Sequence, residues 1–296
     1  MDRKTAADFD PDLLRLFDAY VHGHVDRRGF LDKARKYAVG GVSATMLLDM
    51  LGPNFELQQV KKDDPRITTE YLELPSPQGS GKMRGYFAKP AKAAGKLPGV
   101  LVIHENRGLN PHIEDIARRL AVDNFVALAP DALTPLGGYP ASGEEEARTM
   151  FQKLDAAKTR EDMLASANVL KTRPECTGRI GAVGFCWGGG VVNFLATSMP
   201  DLGAAVPFYG SAAPTDEVPK IKAAVQIHYA GEDARINAGW PAFETALKAA
   251  NVTHEMHMYP GASHGFNNDT TPRYDEKSAK LAWQRTVDFF NKHLRK

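Results

Sequence analysis

A chain of 296 residues with 37 Lys and Arg against 36 Asp and Glu carries a formal net charge of +1, which gives no field to draw it to nucleic acid or to an acidic membrane surface. The expected partner is a small molecule. Hydrophobic and charged fractions of 43% and 25% are those of a globular protein able to build a substantial core. The two cysteines, Cys176 and Cys186, are too few for a disulfide framework and point instead to a chemically placed thiol.

Residues 1–66 read as a helical extension. Within it DPDLLRLFDAYVHG looks like a folded segment, and Arg27 and Arg28 open RRGFL ahead of the apolar run AVGGVSATMLLDML. That pairing resembles a twin-arginine export signal. Against it, the run is short for a membrane span and carries Asp49, and no small-x-small cleavage site follows before FELQQVKK. We therefore expect a retained extension packing its apolar residues on the main domain of a cytoplasmic protein, without stable membrane insertion. Periplasmic export is the alternative. The charge-rich KKDDPR reads as a linker.

From Ile67 onward strand-like and helix-like segments alternate, the pattern of an α/β sheet. ITTEYLELPS and MRGYFAKP, joined by the turn-rich PQGSGK, read as an antiparallel pair. PGVLVIHE, FVALAP, RIGAVGF, AAVPFYG, AAVQIHYA and THEMHMYP are short apolar runs of the kind buried on both faces. Helical stretches separate them: PHIEDIARRLAVD, the long stretch 142–173, WGGGVVNFLATSMP, PAFETALKAAN and a closing EKSAKLAWQRTVDFFNKHL. The sum is one eight-stranded, mostly parallel, doubly wound domain over residues 67–296. GGYPASGEEE is the segment best placed to cover part of a site.

The chemistry sits where strands end. Gly184-Phe185-Cys186-Trp187-Gly188 closes an apolar strand and opens a helix, the setting of a G-x-nucleophile-x-G elbow. Such a turn strains the nucleophile's backbone, and the glycines on either side let strand and helix pass closely. It also aims a helix N-terminus at the side chain, favouring thiolate over thiol. The bland alternative is a small buried apolar cysteine; Cys176, in the polar RPECTGR, is assigned no role.

A cysteine nucleophile needs a base and a group to orient that base. Downstream, AAVQIHYA runs into GEDARIN, presenting Asp233 with Glu232 as its competitor, and THEMHMYP runs into GASHGF, presenting His264. Both fall at carboxyl ends of strands, where open α/β sheets build their sites, and in the order nucleophile, acid, histidine. His254 and His257, three apart on a strand, point to opposite faces and make no metal pair. His228 lies inside a strand and reads as a satisfied interior histidine. No HExxH, CxxC or glycine-rich phosphate loop occurs, so no metal or nucleotide cofactor is expected. Upstream, HENRG follows the third strand, where one oxyanion N–H normally arises; with the residue after the nucleophile, that gives the amides of Asn106 and Trp187. Glu105 is the odd neighbour, since a carboxylate near an anionic sulfur favours the neutral thiol.

Together HENRG, GFCWGGG, PFYG, GEDARIN and GASHGF resemble the dienelactone hydrolase (carboxymethylenebutenolidase) family of α/β-hydrolases, over essentially all of residues 67–296. The resemblance implies a Cys-His-Asp triad of Cys186, His264 and Asp233, with Glu105 as a guard that holds the resting cysteine protonated and accepts its proton when substrate displaces it. It also implies arginines that hold a substrate carboxylate, one of them a few residues after the histidine. Here the run after His264 is GFNNDTTPRYD and the first arginine is Arg273, later than in that pattern. Arg107, Tyr209 and Arg273 are the candidate substrate contacts. The expected function is cleavage of a small ester or lactone through a thioacyl intermediate, without cofactor. The competing expectation is a non-catalytic thiol switch or small-molecule binding protein on the same fold.

Overall fold

In the computed structural model, which describes residues 4–295, the apolar runs become eight strands of one sheet. They are β1 (Ile67–Ser76), β2 (Gly81–Pro90), β3 (Leu97–Ile103), β4 (Val126–Asp131), β5 (Cys176–Phe185), β6 (Ala204–Phe208), β7 (Ala224–Ala230) and β8 (His254–Tyr259), in the order β1-β2-β4-β3-β5-β6-β7-β8. β1 pairs antiparallel with β2 and β2 with β4, while β4, β3 and β5 to β8 run parallel. The chain leaves β3 to one side for β4 and returns to its other side for β5. That reversal opens a crevice at the carboxyl ends of β3 and β5, the place where doubly wound sheets bind ligands.

Three helices precede the sheet: α1 (Pro11–Val21), α2 (Arg27–Ala34) and α3 (Ala44–Leu51). Within and after it come α4 (Pro111–Val122), α5 (Glu144–Phe151), α6 (Ala156–Thr172), α7 (Trp187–Ser198), α8 (Ala234–Asn237), α9 (Trp240–Ala249) and α10 (Glu276–Leu294). α6, α7 and α9 cover one face of the sheet through residues such as Met163, Leu195 and Phe243. α4 and α10 cover the other through Ile116, Leu120 and Phe290. Both faces of β3 to β7 are thereby buried, which is why those strands read as continuous apolar runs rather than alternating ones. The stretch 142–173, expected as one helical piece, is two helices. The first ends at Phe151 and Asp155 caps the second, its Oδ1 accepting from the amides of Ala157 at 3.0 Å and Lys158 at 3.1 Å, so the orphan donors of a new helix start are satisfied there.

The extension has a core of its own in which Leu13, Phe17, Tyr20, Phe30, Leu48 and Leu51 meet. Burying each large apolar side chain stabilises by about 1.5–3 kcal/mol. Of the apolar run after the arginines, only Ala44–Leu51 is helical, and its leucines turn inward. No helix of the described residues is long and apolar enough to cross a membrane. The extension is tied to the sheet domain at several points. Arg27 Nη1 pairs with Glu145 at 2.6 Å, the Asn54 amide donates to the Thr270 carbonyl at 2.7 Å, and the amides of Gln59 and Val60 donate to the buried Asp115 carboxylate at 3.0 and 2.8 Å.

Candidate active site

At the end of β5 the backbone of Cys186 adopts φ 57° and ψ −115°, the strained turn expected of an elbow nucleophile, at a cost of roughly 1–3 kcal/mol. The flanking glycines are sterically required. A Cβ on Gly184 would lie 2.3 Å from the Gly188 carbonyl oxygen, and one on Gly188 would lie 2.4 Å from that of Ile103. Trp187 opens α7, so its amide has no partner inside the helix. Its ring stacks on His104, 5.2 Å between centroids at 22°, with Phe151 edge-on at 5.0 Å, which fixes the backbone there.

Asp233, after β7, is buried and caps α8. Its Oδ1 accepts from the Ile236 amide at 3.3 Å, while Oδ2 lies 2.5 Å from Nδ1 of His264. Its neighbour Glu232 is exposed. His264 sits in the loop between β8 and α10, with the Tyr209 ring 4.9 Å away. The structure thus brings His264 and Asp233 together beside Cys186, three residues separated widely in sequence.

A fourth residue, absent from the sequence reading, faces the same sulfur. His22, at the end of α1, places Nε2 3.5 Å from Cys186 Sγ and 3.3 Å from His264 Nε2. Its Nδ1 lies 2.8 Å from the Asp18 carbonyl oxygen and 3.4 Å from the Asp18 carboxylate, which Arg273 Nη1 holds at 3.2 Å. The neighbouring Val21 carbonyl accepts from Asn106 Nδ2 at 3.0 Å and Arg107 Nη1 at 3.3 Å. The helical extension therefore forms one wall of the site. The only signal in sequence was Asp18 and His22 four apart, a spacing common on any helix surface.

These contacts set the charge of the sulfur. Burial pushes the Cys186 thiol up, but the His264 charge together with hydrogen bonds from His22 and His264 outweighs it and brings the thiol down to about 6. Burial opposes charge on His264, yet the Cys186 thiolate and the Asp233 hydrogen bond raise it to about 10. His22 is raised to about 9, again against burial, by Asp18 and Cys186. Asp18 pays burial but stays well below the usual carboxylate range because His22 and Arg273 hold it charged. A thiolate beside an imidazolium is the resting pair that follows.

The other expected residues lie around this centre. Glu105 and Asn106 follow β3; the Glu105 carboxylate accepts from Asn268 Nδ2 at 3.0 Å rather than bonding to the sulfur. Arg107 is buried, with Nε 3.3 Å from Glu144 and Nη1 2.6 Å from Asn106 Oδ1. Arg273 lies over the Phe17 ring, 5.3 Å from its centroid. Tyr209 is buried with φ 37°. A cavity of about 310 Å³ opens over Cys186 and His264, walled by Glu105 and Arg107 on one side and by Phe17 and Leu48 of the extension on the other. Glu144 and Glu145, from the segment expected to cover the site, border it. His228 is an interior histidine bonded to Tyr259 Oη at 2.8 Å and Gln226 at 2.9 Å. Cys176 is buried at the start of β5, the end away from Cys186.

Comparison with known proteins gives two family matches: a model described as "Dienelactone hydrolase family" over residues 83–294, and one described as "YqhI-like" over residues 1–40. An Escherichia coli protein called "Putative hydrolase fragment YghX" is 51% identical over 115 residues, covering 38% of this chain and 97% of its own. A Salmonella typhi protein called "Putative carboxymethylenebutenolidase" is 34% identical over 242 residues, 77% of this chain and 88% of its own. Among solved structures, a "Putative Dienelactone Hydrolase" from Klebsiella pneumoniae superposes with a TM-score of 0.65 at 31% identity, over 76% of this chain and all of that one.

Proposed function

The chain belongs to the dienelactone hydrolase family and is a hydrolase of the ester and lactone kind; from that premise we propose that Cys186 is its nucleophile, His264 its acid and base, and Asp233 the group that orients His264. The observation that carries this reading is the 2.5 Å contact between Asp233 and His264 beside a cysteine on a strained elbow at a helix start.

In the first half of the reaction the Cys186 thiolate attacks the acyl carbon of a small ester or lactone. The amides of Asn106 and Trp187 hold the negative oxygen. His264 then gives its proton to the departing alkoxide, leaving a thioacyl enzyme. In the second half a water gives a proton to the now neutral His264 and attacks the same carbon, and the thiolate leaves with the acid released. No cofactor is needed for either half. His22 supports the resting thiolate through its hydrogen bond, and Asn268 holds Glu105 against the cavity wall as a supporting carboxylate.

The cavity offers a substrate an apolar side at Phe17 and Leu48, and a second cavity of about 1010 Å³, lined by Trp187, Phe194 and Ile236, also reaches Cys186 and His264 and leaves room for a larger group. Arg107 and Arg273 already have partners in Glu144 and Asp18, so a substrate carboxylate would have to displace them. Because the extension supplies His22, its retention in the mature protein, and with it the cytoplasmic reading, belongs to the same proposal; an intact mass beginning downstream of Leu51 would refute it.

The test is steady-state hydrolysis of small aryl esters, simple lactones and dienelactone by wild type, Cys186→Ala and Glu105→Gln. Turnover that disappears with Cys186→Ala supports the reading, and the preferred substrate reports whether a carboxylate is wanted. Absence of turnover throughout, with a Cys186 that reacts readily with iodoacetamide, would favour the thiol switch.

A further inference from the structure

Three electron pairs converge at one point in this site, and the hydrolytic cycle does not need all of them. The Asp18 carbonyl can only accept, so the Nδ1 of His22 at 2.8 Å must carry the proton. The Asp233 carboxylate places the proton of His264 on Nδ1 in the same way. In both rings Nε2 is then the nitrogen that takes or gives up the second proton, and it is the one aimed at the other ring and at the sulfur. Nε2 to Nε2 is 3.3 Å, His22 Nε2 to Sγ is 3.5 Å, and all three atoms lie within 4.8 Å of one another.

Tetrahedral zinc, with bonds of about 2.0–2.1 Å to imidazole nitrogen and about 2.3 Å to thiolate sulfur, needs edges of roughly 3.3–3.4 Å between two nitrogens and roughly 3.6 Å between nitrogen and sulfur. The two edges made by His22 match these lengths, and the third, from His264 Nε2 to the sulfur, lies within 4.8 Å, so side-chain rotation at His264 closes the triangle. The surroundings fit too. Each imidazole donates its remaining N–H to an oxygen, of the Asp18 carbonyl or the Asp233 carboxylate, which is the outer arrangement that orients histidine ligands toward zinc. The residues that carry those oxygens are themselves held: the Asp18 carboxylate by Arg273, and the other carboxylate oxygen of Asp233 by the Ile236 amide.

We infer that Cys186, His22 and His264 form a three-ligand site for a thiophilic divalent cation of the zinc class, with the fourth position open to water from the cavity. Binding exchanges the Nε2 protons of the two imidazoles for the metal: each Nε2–H bond breaks, the protons go to solvent, and the freed lone pairs bond the metal together with the Cys186 thiolate. The bound form is inactive, because the nucleophile's electron pair and the base's lone pair are both taken. The cation is thus a reversible inhibitor, and its site exists only while the extension is docked, since one ligand comes from α1. No sequence motif announces it, because its ligands stand at positions 22, 186 and 264.

This inference goes beyond the hydrolase reading and is tested without turnover. The full chain, stripped with chelator, is titrated with Co²⁺ and then with Zn²⁺. The expected result is one Co²⁺ per chain with thiolate-to-metal charge-transfer absorption, displaced by Zn²⁺, retained in Cys176→Ser and lost in Cys186→Ser. His22→Ala should weaken binding by more than the roughly 10–100-fold that loss of an outer partner costs, and Asp18→Asn by about that amount, with circular dichroism confirming that each variant is folded. No charge-transfer band in wild type, or a folded His22→Ala that binds as wild type does, overturns the site. Metal binding on titration, with no ester turnover by the chelator-stripped chain, would refute the cysteine-nucleophile reading and leave this one standing; turnover by the stripped chain without metal binding does the reverse.

Discussion

The sheet edge and the N-terminal extension reach the same sulfur by different routes. At the edge, each reactive side chain follows a strand directly: Cys186 after β5, Asp233 after β7, His264 after β8. Backbone pairing fixes where strands end, so hydrogen bonds between strands carry these groups to within a few ångströms of their places. The extension has no such rail. His22 arrives because a small separate core around Phe17, Phe30 and Leu51 docks on the mouth of the site through Val21, Asp18 and Arg27. One region encodes position locally; the other encodes it through an interface.

The largest effects are expected at the edge. Cys186→Ala or His264→Ala should lower kcat by on the order of 10⁴-fold or more, and Asp233→Asn by about 10²–10⁴-fold, in a steady-state ester assay with unchanged thermal unfolding. An Asp233→Asn enzyme at full rate would remove the edge from the comparison.

Next comes the pH profile, measured in chelator-treated buffer. Because the Cys186 thiol is lowered to about 6, it is ionised above that pH and protonated below, so kcat/KM should fall as pH drops through about 6. It should fall again as His264, raised to about 10, loses its proton. The extension enters through His22. His22→Ala removes a hydrogen bond to a charged sulfur, an interaction of about 1.5–3 kcal/mol, so kcat/KM should drop about 10–100-fold and the acid limb should move to higher pH. A lower rate with an unmoved limb would mean that His22 acts only by packing.

Smaller effects test the docking itself. Leu51→Ala empties a fully buried position and should destabilise by about 2–5 kcal/mol in denaturant unfolding. Arg27→Ala breaks an ion pair whose partners are 41% and 45% exposed, and should shift stability by no more than about 1 kcal/mol. An Arg27→Ala that unfolds the extension would show that the interface depends on charge rather than on its apolar core.

The middle of the sheet was legible because β3 to β7 are buried on both faces, and ITTEYLELPS became a strand with the very ends its turn residues marked; THEMHMYP, expected to be buried on both faces, is instead the edge strand β8, which is largely open because it has a neighbour on one side alone. The elbow was legible because sterics leave glycine alone at Gly184 and Gly188. The break at Asp155 was not, since a capping aspartate inside a helical pattern looks like any exposed acid until its amide partners are known. His22 was hidden for a deeper reason. Its neighbours Asp18 and Val21 read as an ordinary amphipathic helix end, and what makes His22 reactive is the docking angle of α1, which no local spacing states.

The most direct test is to react the protein with a slowly turned-over aryl ester, quench in acid and map the acyl mass by peptide mass spectrometry. The account requires the acyl group on the peptide carrying Cys186 and its loss in Cys186→Ala. An ester cleaved equally well by both proteins, with no acyl mass at Cys186, would contradict it.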